Sequence, residues 1–302
     1  MLRRTLCAAA GLACIAAVHA QAPADGGFPS RPISVVIPYA AGGGADLIAR
    51  AVGNSVSRTL KQPVVFENKT GASGMIAAAA VAKSPPDGYT VLLITDNMFT
   101  TNPRFFGRQA EDALAGLEPL ADLVAAPVVI AVGSGSTLQN LQQLKDYAKA
   151  KGGPLTYATP GVGTPHQIAA ELLSRAAGVP FTHVPYKGTA GAMTDLSTGR
   201  LDLLFGMQAT VQAMTDAGRT RIVAVAPGQR FPLLPAVPSV QESFPGVAVS
   251  PVDLGFVVPK GTPAAVVRTL NAAVQKALAE PEVTALMRSN GMVPQGGTAA
   301  EF

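Results

Sequence analysis

The chain of 302 residues is 48% hydrophobic and 14% charged, with 31 Gly, 25 Pro, 2 Cys and no Trp. This apolar, weakly charged composition excludes intrinsic disorder, and the length is enough for two ordinary domains with their own cores. The 23 basic and 19 acidic residues give a net +4, or about +2 once Arg3 and Arg4 of the leader are set aside, and no window concentrates the basic face that nucleic acid requires.

Residues 1–20 read as a secretory signal peptide. Arg3 and Arg4 open it, residues 6–18 form an apolar stretch, and Val18-His19-Ala20 supplies a small-residue cleavage pattern before Gln21. The stretch is shorter than the roughly 20 residues that a membrane span needs. Both cysteines, Cys7 and Cys14, lie inside it, so the exported chain has no thiol for a disulfide, a metal or nucleophilic attack. A lipid anchor on Cys14 is the rival reading, although Gly11 stands where such an anchor calls for a larger aliphatic residue. The exported protein is expected to be soluble, outside the cytoplasm and monomeric.

The first strand is expected at 33–37. A Gly42-Gly43-Gly44 loop follows, then a helix over 45–60 with Leu47, Ile48, Ala51, Val52 and Val56 at helical spacing. Further short strands are expected at 63–66, 90–95, 128–132, 155–159, 201–205 and 222–226, with helices at 73–83, 137–151, 165–177, 190–198 and 211–217. A strand at 254–258 precedes a helix over 263–279, whose start is marked by Thr262-Pro263. Strands alternating with helices predict an α/β fold, with parallel sheets covered by helices. Pro and Gly concentrate at 125–127 and 227–238. They divide the chain into a first lobe of residues 22–125 plus 229–302 and a second of residues 126–228, with two crossings and a cleft at the junction.

The clearest local signal is the loop from Pro38 to Gly44 between a strand and a helix. Such a loop presents unpaired backbone N–H groups and the positive end of a helix dipole, which suits a carboxylate; a tight turn needing positive φ is the equal alternative. The loop matches neither nucleotide-binding glycine fingerprint. Thr159-Pro160-Gly161-Val162-Gly163-Thr164 repeats the design in the second lobe. Asn68 to Gly74 and Thr95-Asp96-Asn97 are further strand ends of the same kind. Catalytic readings are weak, because beyond the leader only His166 and His183 remain, no H-E-x-x-H spacing occurs and no G-x-S-x-G precedes a helix. No enzyme activity, metal or cofactor is expected. His183, between Thr182 and Val184, reads as a packed structural residue, whereas His166 at a helix start is a candidate anion contact.

These motifs resemble those of the extracytoplasmic binding proteins of tripartite tricarboxylate transporters, the Bordetella uptake gene (Bug) family. The resembling stretches are Phe28 to Ile33, Pro38 to Asp46, Glu67 to Gly74, Pro86 to Thr90, Leu155 to Gly161, His183 to Gly188 and Pro259 to Pro263. The resemblance implies a two-lobed, type II periplasmic-binding-protein fold, a Venus flytrap with each sheet flanked by helices. It also implies capture of a small carboxylate in the cleft and delivery to a membrane permease. In that family the two glycine loops grip carboxylate through backbone N–H groups, small hydroxyls and bridging waters. The matching positions here are Tyr39, Gly42, Gly43, Gly44, Ala72, Ser73, Thr95, Gly161, Gly163 and Thr164.

The departures from the family pattern carry information of their own. Members commonly read Thr-Pro-Gln-His where this chain has Thr164-Pro165-His166-Gln167, so a histidine role does not transfer directly. Many members carry an Asp where Gly206-Met207-Gln208 stands here, which disfavours an amino-acid ligand and favours a di- or tricarboxylate or an aromatic acid. Trp-Phe-Gly is replaced by Asp253-Leu254-Gly255, an uncommon carboxylate near the cleft for which repelling an acid ligand, binding a cation and facing solvent are the open readings. The family usually continues for about one helix beyond the position of Phe302. A ligand-presenting receptor that addresses a sensor kinase is the second functional reading.

Overall fold

The computed structural model describes residues 27–302, and the expected signal peptide lies outside the described residues. The chain opens with β1 (Ile33–Ile37), α1 (Gly44–Leu60), β2 (Val64–Asn68), α2 (Met75–Val81) and β3 (Thr90–Thr95). β1 pairs in parallel with both β2 and β3. Its β-branched residues are almost wholly buried, as a central parallel strand requires, while β2 at the sheet edge alternates half-buried and exposed.

Three short helices that were not among the expected elements come next: α3 (Asn97–Thr100), α4 (Asn102–Phe106) and α5 (Arg108–Ala115). They lead into β4 (Leu117–Ala126), also unforeseen, because Pro119 interrupts its strand pattern. The sheet tolerates that proline. The outer neighbour of β4 pairs only with Ala125 and Val124, leaving Pro119 on an open edge opposite a register shift.

After Pro127 the chain enters a second sheet. There it forms β5 (Val128–Gly133), α6 (Leu144–Lys151), β6 (Leu155–Thr159), α7 (Pro165–Ala177), β7 (Phe181–Pro185), α8 (Met193–Ser197), β8 (Leu203–Met207), α9 (Gln208–Asp216) and β9 (Thr220–Val225). It returns to the first sheet as β10 (Val252–Pro259), followed by α10 (Ala264–Ala279), α11 (Pro281–Ser289) and β11 (Val293–Pro294). The strand orders are β11-β4-β10-β3-β1-β2 and β7-β6-β8-β5-β9. The fold is two-lobed α/β, each sheet flanked by helices.

The expectation of parallel sheets is corrected. Both sheets are mixed, since β4, β10 and β5, the strands at the crossings, pair antiparallel with their neighbours. Several bounds also move. The helix expected from 137 begins at Leu144, after a 3₁₀ turn capped by the Asn140 side chain. The strand expected at 201–205 starts at Leu203, because Asp202 is committed elsewhere. Its carboxylate, 6% exposed, accepts the Thr156 N–H at 2.7 Å, the Thr156 hydroxyl at 2.8 Å and the Tyr147 hydroxyl at 3.1 Å, and pairs with Lys151. Burial opposes its charge, but Lys151 and Thr156 prevail and hold the carboxyl below the usual carboxylate range.

Candidate functional site between the lobes

Strand-to-helix loops of the two lobes face each other. α1 starts at Gly44. α7 starts at Pro165 and is capped by Thr164, whose hydroxyl accepts from the Gln167 N–H at 3.4 Å. First-turn amides of a helix have no intrahelical acceptor and present partial positive charge, which suits an anion. Between these loops lies a small cavity of about 30 Å³.

Six of the expected residues line this cavity: Tyr39, Gly43, Gly44 and Thr95 from the first lobe, Thr164 and His166 from the second. No charged side chain is among the described residues of its wall. A larger cavity of about 330 Å³ lies on the other side of Tyr39 and Pro160 and takes in Ala72, Ser73 and Gly161. Gly42 and Gly163, also expected at the site, line neither cavity. The Gly42 N–H is spent on Asp46 Oδ2 at 3.0 Å, and the Gly163 N–H on Gln167 Oε1 at 2.7 Å. Both have positive φ, +84° and +76°, so they shape the turns.

Hydrogen bonds hold the cleft shut. The Ala40 N–H donates to the Lys187 carbonyl at 2.8 Å, the Gly44 N–H to Thr210 Oγ1 at 3.2 Å and the Thr101 hydroxyl to the Gly163 carbonyl at 2.7 Å. The Ser73 hydroxyl adds a bond to the Val162 carbonyl, from a backbone in the left-handed region at φ +48°. Thr210 and Thr189, whose hydroxyls lie 3.2 Å apart, also line the cavity and were not among the expected residues. The Lys187-Gly188-Thr189 turn after β7 has the same strand-to-helix design as the others and was the available signal.

A buried polar chain runs away from the cavity. The Tyr39 and Thr95 hydroxyls lie 2.8 Å apart, Thr95 donates to Asn97 Oδ1 at 2.7 Å, Asn97 donates to Asn102 Oδ1 at 3.1 Å, and Asn102 donates to the Ser73 carbonyl at 2.9 Å. Burial pushes the Tyr39 hydroxyl up to about 12, so it keeps its proton. His166 is 4% exposed, with no partner for either ring nitrogen among the described residues. Burial pushes its pKa down to about 3, so the ring is neutral at physiological pH. His183 is packed elsewhere, stacked on Tyr157 at 4.8 Å and 2.7 Å from the Thr159 hydroxyl.

Asp253 lies outside the cavity wall, half-buried beside Asp96 and Asp122. Burial first, and the Asp253 charge second, push both neighbours up to about 6. A carboxyl whose folded pKa is raised adds stability that is full below its unfolded value near 3.8 and is lost as pH rises through about 6. Asp253→Asn is therefore expected to raise stability at pH 7.5 by about 1 kcal/mol, discounted for the partial exposure of the three groups. The gain should shrink at pH 5, and melting curves at the two pH values check it; equal gains at both would refute the coupling.

Two lobes, two crossings and a cleft lined by opposed glycine loops define a periplasmic solute-binding protein. Residues 48–302 match the family model for the tripartite tricarboxylate transporter family receptor. The chain belongs to that family. Among solved structures, the periplasmic binding protein BugD is 33% identical, with 88% of this chain and 89% of that one covered and a TM-score of 0.82. An R. palustris protein solved with adipate is 30% identical over 91% and 92% of the two chains, with a TM-score of 0.85. MatC from Rhodopseudomonas palustris, solved with malate, is 30% identical over 88% and 90%, with a TM-score of 0.79.

Proposed function

We propose that the protein captures a small organic acid, a di- or tricarboxylate or an aromatic carboxylate, in the periplasm and delivers it to the permease of a tripartite tricarboxylate transporter. The observation that carries this reading is the inter-lobe cavity: two helix N-termini open onto it, small hydroxyls and backbone line it, and its described wall has no charged side chain. The adipate and malate bound by the two solved relatives support a carboxylate. Met207 in the wall, apolar where an amino group would want an acid, supports a ligand without one. Contacts made by both lobes exist only in the closed form, so binding shifts the population toward it, with no bond made or broken in the ligand.

Native mass spectra of the purified mature protein, before and after unfolding and refolding, test the reading. The expected result is a co-purified acid that is lost on refolding and restored when that acid is added back. If no acid in a broad panel binds or raises the melting temperature, the carboxylate reading fails; conversion of a bound acid to product would remove the binding-protein role.

A further inference from the structure

Gly71, Ala72, Ser73 and Gly74 all have positive φ, at +128°, +45°, +48° and +94°. Glycine takes this region freely, but in alanine and serine the Cβ crowds the backbone, so the middle of the turn is strained. Lys61 also has positive φ, yet it caps the end of α1, where left-handed residues are common. The turn at 72–73 ends no such helix. Strain of this kind persists only where the surroundings fix it, and it gathers at sites that bind or switch.

Asn102 is what fixes it. Its side chain is fully buried, its amide donates to the Ser73 carbonyl at 2.9 Å, and its Oδ1 accepts from Asn97 at 3.1 Å. The strained turn aims the Ser73 hydroxyl across the cleft at the Val162 carbonyl. Beside Asn102, the Thr101 hydroxyl donates to the next carbonyl, that of Gly163, at 2.7 Å. Two hydroxyls of the first lobe thus grip successive carbonyls of the loop that opens α7. The fit is close, since a Cβ at Gly161 would lie 2.7 Å from Ser73 Oγ and one at Gly163 would lie 3.2 Å from Asn102 Oδ1.

Asn102 itself lines neither cleft cavity. We propose that it is a positioning residue for closure: its bonds lie within the first lobe, and its amide keeps the Ser73 turn left-handed in the open form, so that the clasp of Ser73 and Thr101 is ready before the lobes meet. Without that amide the turn relaxes when the cleft opens, and each closure must rebuild it. The added cost enters the open-to-closed equilibrium, which every ligand shares, and lowers the affinity for every acid by one factor. A side chain that touched the ligand would instead change the affinity for one acid against another. This inference rests on the carboxylate-binding reading and concerns how that same site shuts.

Calorimetric titration of the mature parent, Asn102→Ala, Ser73→Ala and the double variant tests it, with the two acids that bind the parent most tightly among malate, succinate, adipate, citrate and benzoate. Asn102→Ala is expected to weaken both acids about tenfold, by factors that agree within about threefold, while cooperative melting is retained. Because Asn102 acts through the Ser73 hydroxyl, the double variant should bind within about threefold of Ser73→Ala alone. Asn102→Leu, which keeps the outline of the side chain without its amide, should show the same loss and takes the place of Asn102→Ala if that variant does not melt cooperatively. Parental affinity with only a lower melting temperature, a loss confined to one acid, or losses that multiply in the double variant would each overturn the inference and leave carboxylate binding standing. Binding of no acid by the parent fails the underlying reading instead.

Discussion

Gly44→Val is expected to prevent full closure of the lobes and to weaken acid binding by roughly 100-fold, about 2.7 kcal/mol. A Cβ at Gly44 would lie 3.1 Å from Met207 Sδ and 3.2 Å from Ala209 Cβ, both on the facing lobe. The methionine end can swing aside for one methyl group, but Ala209 is fixed on α9, and a branched side chain reaches further. Gly44 does not have positive φ, so valine fits the open form without backbone strain. The penalty falls on closure alone. Small-angle scattering with saturating acid should show a larger radius of gyration than the parent, with near-parental melting in its absence. Parental affinity in Gly44→Val would show that the Gly44 contact is not part of the binding-competent form.

Asp202→Ala is expected to cost about 3 kcal/mol of stability, read as a fall of roughly 6–10 °C in melting temperature. The loss leaves the Thr156 N–H and the Tyr147 hydroxyl without their acceptor and Lys151 without its charge partner. Because the folded carboxyl titrates below its unfolded value, its contribution is present above about pH 4 and disappears as pH falls through the lower folded value. The difference between parent and variant should therefore narrow in acid. A difference as large at pH 2.5 as at pH 7 would refute the charge as its source. Ligand affinity is expected to be unchanged, since Asp202 lines neither cleft cavity.

The alternation of strand and helix was legible because β1, β3, β6 and α1 each have a clear period and sit between turn residues. β4 was not, since Pro119 looks like a break until the neighbouring strand is seen to stop short of it. The short helices α3 and α4 were hidden for another reason: at four and five residues they are too short for a repeating apolar face and hold their shape by packing and by the Thr95-Asn97-Asn102 bonds, whereas α5 shows its apolar face, Ala110, Ala113 and Leu114, over only eight residues. In the site, the loops were readable as strand-to-helix turns. Which amides remain free was not. Gly42 and Gly163 belong to those loops, yet Asp46 and Gln167 take their N–H groups from a distance of four residues, a pairing that only the folded turn reveals. Thr210 was out of reach because its value comes from a partner 166 residues away.

The bonds that close the cleft run from protein to protein, from Ala40, Gly44, Ser73 and Thr101 on one lobe to Lys187, Thr210, Val162 and Gly163 on the other. Entry of any acid must then wait for the same gate, whereas departure must also break that acid's own contacts to both lobes. Different acids are expected to associate at similar rates, set by how often the lobes part, and to differ mainly in how long they stay. Residence time, more than encounter, would decide which acid the cell takes up from a mixture.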